Sequence, residues 1–163
     1  MQIVVSDTTP IRYLAAIDLL HLLPQLFETI HIPDVVYGEI QRSATPPQVR
    51  NQILSPPAWL KIVTPEVFED HIALLTLDEG ERAALALGLQ LNADLILIDE
   101  RKGAAIARQK GLEITGTLGI LVRAARRNVI TLEDAFARLR NTTFHCSEDL
   151  MNSLLAEHNS RKP

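Results

Sequence analysis

The sequence is poor in cysteine, in aromatic residues and in positive charge, and each shortage narrows what the chain can be. Cys146 is the single cysteine among 163 residues. Neither an internal disulfide nor a thiolate zinc site can form from one thiol, so a reducing, cytoplasmic setting is expected. Aromatic residues make up 4 %, which leaves core building to Leu, Ile, Val and Ala. No apolar stretch approaches the roughly 20 residues of a membrane helix. The apolar start Ile3-Val4-Val5 is stopped by Ser6-Asp7 with no basic region before it, so no signal peptide is expected. Lys and Arg together number 16 against 20 Asp and Glu, for a formal net charge of −4. A general nucleic-acid coating protein is usually basic, so that class is disfavoured. A nuclease is not excluded, because a carboxylate cluster recruits the cation that then meets phosphate. The sequence shows no internal repeat and no low-complexity linker. The histidines at 21, 31, 71, 145 and 158 are scattered, none paired at metal-ligand spacing, so surface or partly buried structural roles are expected. Cys146 has no nearby base in sequence and is expected to be inert.

What is present is a soluble globular balance, 47 % apolar and 22 % charged, at a length that suits one domain. That domain is expected over 1–158, with 159–163 a frayed tail. Short apolar strands are predicted at 2–6, 28–32, 95–98 and 112–115, with an outlying one at 59–63. Helices are predicted at 11–16, 19–27 (interrupted near Pro24), after Pro33-Asp34, and at about 47–54, 78–91, 101–110, 117–127, 131–140 and 147–158, with Gly111 a C-cap. This alternation implies an α/β fold with a mainly parallel sheet of four or five strands, covered on both faces.

Two of the strongest strands run directly into an aspartate: Val4-Val5-Ser6-Asp7 and Ile96-Leu97-Ile98-Asp99. Ligands of open parallel sheets bind outside the carboxyl ends of the strands. If these two strands are neighbours, their carboxylates converge and repel, and a divalent cation is the usual remedy. Oxygen-only ligation suits Mg²⁺ or Mn²⁺. Glu39, on the helix after strand two, and Glu81, in the first turn of the helix before the Asp99 strand, are candidates to join. Each residue alone has a plainer reading: Asp7 and Asp99 as turn or helix caps, Glu39 as a solvated helix residue, Glu81 as a charge favoured at a helix start, where Asp78 and Glu79 compete for the role. The functional reading gains only when all four are taken together.

The segments Val-Val-Ser-Asp7-Thr-Thr-Pro, Ile-Pro-Asp-Val-Val-Tyr-Gly-Glu39, Leu-Asp-Glu-Gly-Glu81-Arg-Ala-Ala-Leu-Ala-Leu-Gly, Leu-Ile-Leu-Ile-Asp99-Glu-Arg-Lys-Gly and Ile-Thr-Gly116-Thr-Leu-Gly119-Ile-Leu follow one another over roughly the first 130 residues. In that order the chain resembles the PIN-like domain family, nearest the bacterial and archaeal subgroup with the Gly-Thr-Leu-Gly-x-Leu motif. The resemblance implies a three-layer α/β/α sandwich and an acidic pocket for Mg²⁺ or Mn²⁺ at Asp7, Glu39, Glu81 and Asp99. It also implies RNA phosphodiester cleavage, and for many members a toxin role with a small inhibitory antitoxin protein. One departure is Glu81, where many toxin members carry Asp.

The expected chemistry is metal-assisted hydrolysis, with Asp7 and Asp99 holding the cation and Glu39 and Glu81 ligating directly or through water. RNA is expected to meet Thr8, Arg101 and Lys102 beside these acids, with Arg12 and Arg108, and Arg123, Arg126 and Arg127, as further basic groups. For Thr8 helix capping or orienting Asp7 competes with this role, and for the basic residues solvated helix faces do. A receiver-like phosphoacceptor domain needs an acidic pair after strand one and a lysine after the last strand. A haloacid-dehalogenase-like phosphatase needs Asp-x-Asp, and Asp7-Thr8-Thr9 supplies neither pattern. The serious rival is a catalytically silent module that binds RNA or a protein partner, with a partner surface at 43–75. The C-terminal helices, with Leu150, Met151, Leu154 and Leu155, are expected to close the core or to pair two copies as a homodimer.

Overall fold

Val4-Val5-Ser6 forms β1, and the first helix, α1 (Thr8–Ala16), starts one residue after it ends. The computed structural model describes residues 1–42, 47–66, 77–99 and 101–161. After α1 come α2 (Leu22–Phe27), β2 (Ile30–Pro33), α3 (Asp34–Arg42), α4 (Pro47–Leu54), β3 (Leu60–Val63) and α5 (Glu79–Gln90). The chain then continues through β4 (Leu95–Leu97), α6 (Arg101–Gln109), β5 (Ile114–Thr115), α7 (Thr117–Arg126), α8 (Leu132–Arg140) and α9 (Glu148–Ser160). The helix expected from Leu19 begins only at Leu22, which puts Pro24 in its first turn, where a missing N–H costs no helical bond. Strand two starts and ends later than its apolar run suggested, because Glu28 adopts φ 63° and terminates α2. The tail expected to fray begins as helix: α9 reaches Ser160, and Arg161 pairs with Glu157 at 2.9 Å.

Among the described residues all five strands are parallel, in the order β3-β2-β1-β4-β5. The Trp59–Val63 segment thus supplies the edge strand beside β2. Side chains alternate across the sheet, as strand geometry requires. Val4, Leu95 and Leu97 enter one apolar core with Ile11, Leu14, Leu22, Leu121 and Phe136, from α1, α2, α7 and α8. Val5, Ile96 and Ile98 enter a second core with Leu85, Leu87 and Ala107, from α5 and α6. The result is the three-layer α/β/α sandwich. Met151 is buried and Leu154 and Leu155 pack on the first core, so α9 closes that face, while Leu150 stays 47 % exposed. Among the described residues no helix is long and apolar enough to cross a membrane.

The strand order has one consequence for ligands. From β1 the chain steps outward through β2 to β3, then crosses to the other side of β1 for β4 and β5. The order therefore reverses between β1 and β4, and the crevice at such a reversal is where open α/β sheets take ligands. Asp7 and Asp99 stand at the carboxyl ends of those two strands.

Candidate active site

β1 and β4 are in register Ser6 to Leu97, and the Asp7 N–H donates to Leu97 O at 2.9 Å, so Asp7 leaves the sheet while still tied to β4. Asp7 is almost fully buried, at 3 % exposure. It sits at the N-cap position of α1, facing the Thr8 and Thr9 amides without a fully formed side-chain cap bond. Burial pushes the Asp7 carboxyl up to about 7. The Thr8 amide facing it moderates the rise, and the charges of Asp78 and Glu39 add to it.

Glu81 arrives from α5. Asp78 Oδ1 accepts from the Glu81 N–H at 2.8 Å, and Glu81 Oε1 accepts from the Asp78 N–H at 3.2 Å. This reciprocal capping box anchors one carboxylate oxygen and opens the helix. The other, Oε2, is buried and has no hydrogen-bond partner among the described residues. Burial, then the contact with Asp78, pushes Glu81 up to about 8, and the Asp7 charge contributes. An orphaned carboxylate oxygen in a buried position is costly unless something positive reaches it.

Glu39 lies half-buried on α3 and accepts a hydrogen bond at Oε2 from the Thr8 hydroxyl. Thr8 therefore orients a carboxylate, as one of the roles expected of it, but that of Glu39 and not of Asp7. Gly80, in the first turn of α5, faces Glu39: a Cβ there would stand 2.6 Å from both carboxylate oxygens. Asp99 follows β4 and is held by α7, accepting from the Thr117 N–H and from the Thr117 hydroxyl. Burial raises its pKa and the two Thr117 bonds lower it. A Cβ at Gly116 would collide with Asp99 Oδ1. Gly103 of α6 would place a Cβ 3.5 Å from Glu81 Oε2, so the helix after Asp99 abuts the helix start that carries Glu81.

The four predicted acids thus share one sheet edge. Asp7, Glu39 and Glu81 meet with Asp78 in a mutually repelling group, and Asp99 occupies the adjoining strand end, turned toward α7. A protein-family model described as a PIN domain matches residues 3–160. The chain belongs to the PIN-domain family. No curated protein matches it. The PIN fold is of nuclease type, and the acids of this chain lie at the carboxyl edge of its sheet.

The donor set of this PIN domain is oxygen only, which is the chemistry of Mg²⁺ and Mn²⁺. As placed, no group of three or more His, Cys, Asp or Glu among the described residues is one that could hold a metal ion. Two of the carboxylates are engaged by threonine hydroxyls, and Glu81 Oε2 is the buried oxygen left over.

Thr117 is not among the predicted site residues, and Asp78 is expected only as a competitor of Glu81 at the helix start. The Gly-Thr-Leu-Gly motif and the capping-box spacing of Asp78 and Glu81 were their available signals. Nothing local marks Gly80 and Gly116 as spaces reserved for carboxylates from other elements. Arg101 and Lys102 open α6, but their side chains lie outside the described residues, as do 43–46 and 67–76 of the proposed partner surface. Of the other basic group, Arg123 lies over the Phe27 ring at 5.2 Å and Arg126 pairs with Glu157 at 3.7 Å, so both serve packing and surface pairing.

Proposed function

We propose that this PIN domain is a Mg²⁺- or Mn²⁺-dependent endoribonuclease that hydrolyses RNA phosphodiester bonds in the cytoplasm, as the toxin of a toxin–antitoxin pair restrained by a small partner protein. The observation that carries the catalytic reading is the buried, partnerless Glu81 Oε2 beside Asp7, two carboxyls pushed up to about 8 and about 7 at the reversal point of the sheet. A positive charge there relieves what burial and repulsion impose.

The oxygen donors suit a hard divalent cation, and Asp7, Glu81 and Asp99 would hold it, with Glu39 ligating directly or through water, once they close from their present spacing, at which no group of three among the described residues could hold a metal ion. Such an ion supplies Lewis-acid polarisation of phosphate and a lower pKa for bound water. The chain does the remainder. The capping box holds Glu81 Oε1, so Oε2 has one direction to face. Thr8 and Thr117 hold Glu39 and Asp99 in fixed rotamers. Burial makes the charged forms of Glu81 and Asp7 costly in the ion-free protein, and those charged forms are the ones that would ligate a cation. Arg101 and Lys102, next to Asp99 in sequence, are assigned to the RNA backbone.

The test is cleavage of mixed RNA with Mn²⁺, with and without chelator, beside Asp7→Asn and Asp99→Asn. Wild-type cleavage that chelator abolishes, and that falls at least about a hundred-fold in both variants, is the expected result. Cleavage surviving in either variant or in chelator overturns the mechanism. RNA binding without any cleavage leaves the silent binding module.

A further inference from the structure

A cleft of about 520 Å³ opens directly beside Asp99, between α6, the end of β5, the start of α7 and the segment leading into α9. Its apolar wall is built by Ile114, Leu118, Phe144 and Leu150, and Asp99 and Arg108 mark its polar sides. The volume falls within the ~300–1,000 Å³ of sites that enclose small ligands. Phe144 is the notable wall. Of the phenylalanines the structure describes, Phe27 and Phe136 are buried in the core, whereas Phe144 is half-buried, packed against the core on one side and lining this cleft. Its ring is braced edge-on by Tyr13, centroids 5.1 Å apart at 84°. Its N–H donates to Thr142 Oγ1 at 3.1 Å.

We propose that this cleft is a nucleobase subsite, which takes one unstacked base of a single-stranded RNA whose phosphate lies at the acidic edge. The inference rests on the ribonuclease reading and adds where in this chain a base of the substrate is held. A flat, partly apolar base fits a slot walled by a braced aromatic ring and aliphatic side chains, the usual way proteins hold single-stranded RNA. Arg108 is exposed at the rim, where the neighbouring phosphate of the same strand would pass. Asp99 lines the cleft and stands at the strand end adjoining the acidic group, so a base seated here puts its own backbone next to the carboxylates. A duplex cannot offer such a base without unpairing, so the site selects unpaired RNA.

The experiment measures binding of a short fluorescent single-stranded RNA to the full chain, with Ca²⁺ replacing Mn²⁺ to suppress turnover, and maps cut positions with Mn²⁺. Phe144→Ala is expected to weaken binding by about ten-fold, the scale of one lost base stack, and Phe144→Trp to restore it. Leu150→Glu changes an exposed position, so it tests the cleft even if Phe144→Ala fails to fold. It is expected to weaken binding at least as much and to change which linkages are cut. Binding within two-fold of wild type in Leu150→Glu, with unaltered cut positions, overturns the subsite, as does equal affinity for duplex. If Asp7→Asn abolishes cleavage while the cleft variants behave as wild type, the subsite alone falls. If wild type does not cleave but the cleft variants lose RNA binding, the subsite stands and the ribonuclease reading falls.

Discussion

Gly80 shows how closely α3 and α5 are drawn together by the need to face two glutamates into one pocket. A methyl group at this position would stand 2.6 Å from both Glu39 oxygens, so Gly80→Ala must drive Glu39 off its Thr8 hydroxyl. Alanine is otherwise the better helix residue, by about 1 kcal/mol. The substitution therefore separates function from folding. Mn²⁺-dependent cleavage is expected to drop about ten-fold or more while the melting temperature changes by only a few degrees. Steady-state kinetics and a thermal melt on the same preparation check it. A large stability loss with normal turnover per folded molecule would show that Glu39 does not need its present position.

At the scale of elements, the start of α5 carries two duties. Asp78 satisfies the Glu81 N–H, and Glu81 returns the bond to the Asp78 N–H, so the same pair that begins the helix aims a carboxylate. Removing the cap in Asp78→Ala is expected to cost about 1 kcal/mol, the usual worth of an N-cap. Asp78→Ser keeps a capping oxygen and should cost only a few tenths. Both remove a negative charge that raises Asp7 and Glu81, so both should lower those pKa values. Urea unfolding gives the stabilities. If the alanine and serine variants are equally stable, the capping box contributes nothing to the fold.

For the whole molecule, the acidic group ties folding to pH and to cations. Burial holds Asp7 at about 7 against an ordinary 3.8, and Glu81 at about 8 against 4.5. Raised carboxyls favour the neutral form in the folded chain. Their contribution to stability is complete below about pH 4 and is lost as pH climbs through about 7 to 8. In chelator, wild type should therefore weaken over that interval, and Asp7→Asn should be the more stable protein at pH 8 by roughly 2–4 kcal/mol, with the gap closing toward pH 4. Mn²⁺ should reverse the order, since a ligand at a hundred times its dissociation constant stabilises by about 2.7 kcal/mol. Chemical unfolding at pH 4.5 and 8, with and without Mn²⁺, reads all four values. A wild type that is most stable at pH 8 in chelator would remove the electrostatic basis of the site.

The alternation of short apolar runs with helices was legible because local periodicity is written residue by residue, and it gave the parallel sandwich and every strand. The aspartates at 7 and 99 were visible for the same reason, each following an uninterrupted strand. The tertiary structure decided which strands touch. Only the order β3-β2-β1-β4-β5 makes β1 and β4 neighbours across the reversal, and pairing depends on how whole faces pack. It also decided that Thr8 serves Glu39, that Thr117 serves Asp99, and that glycines at 80 and 116 leave room for carboxylates from other elements. Desolvation, close approach and repulsion arise between residues distant along the chain, so no local pattern in the amino-acid sequence records them.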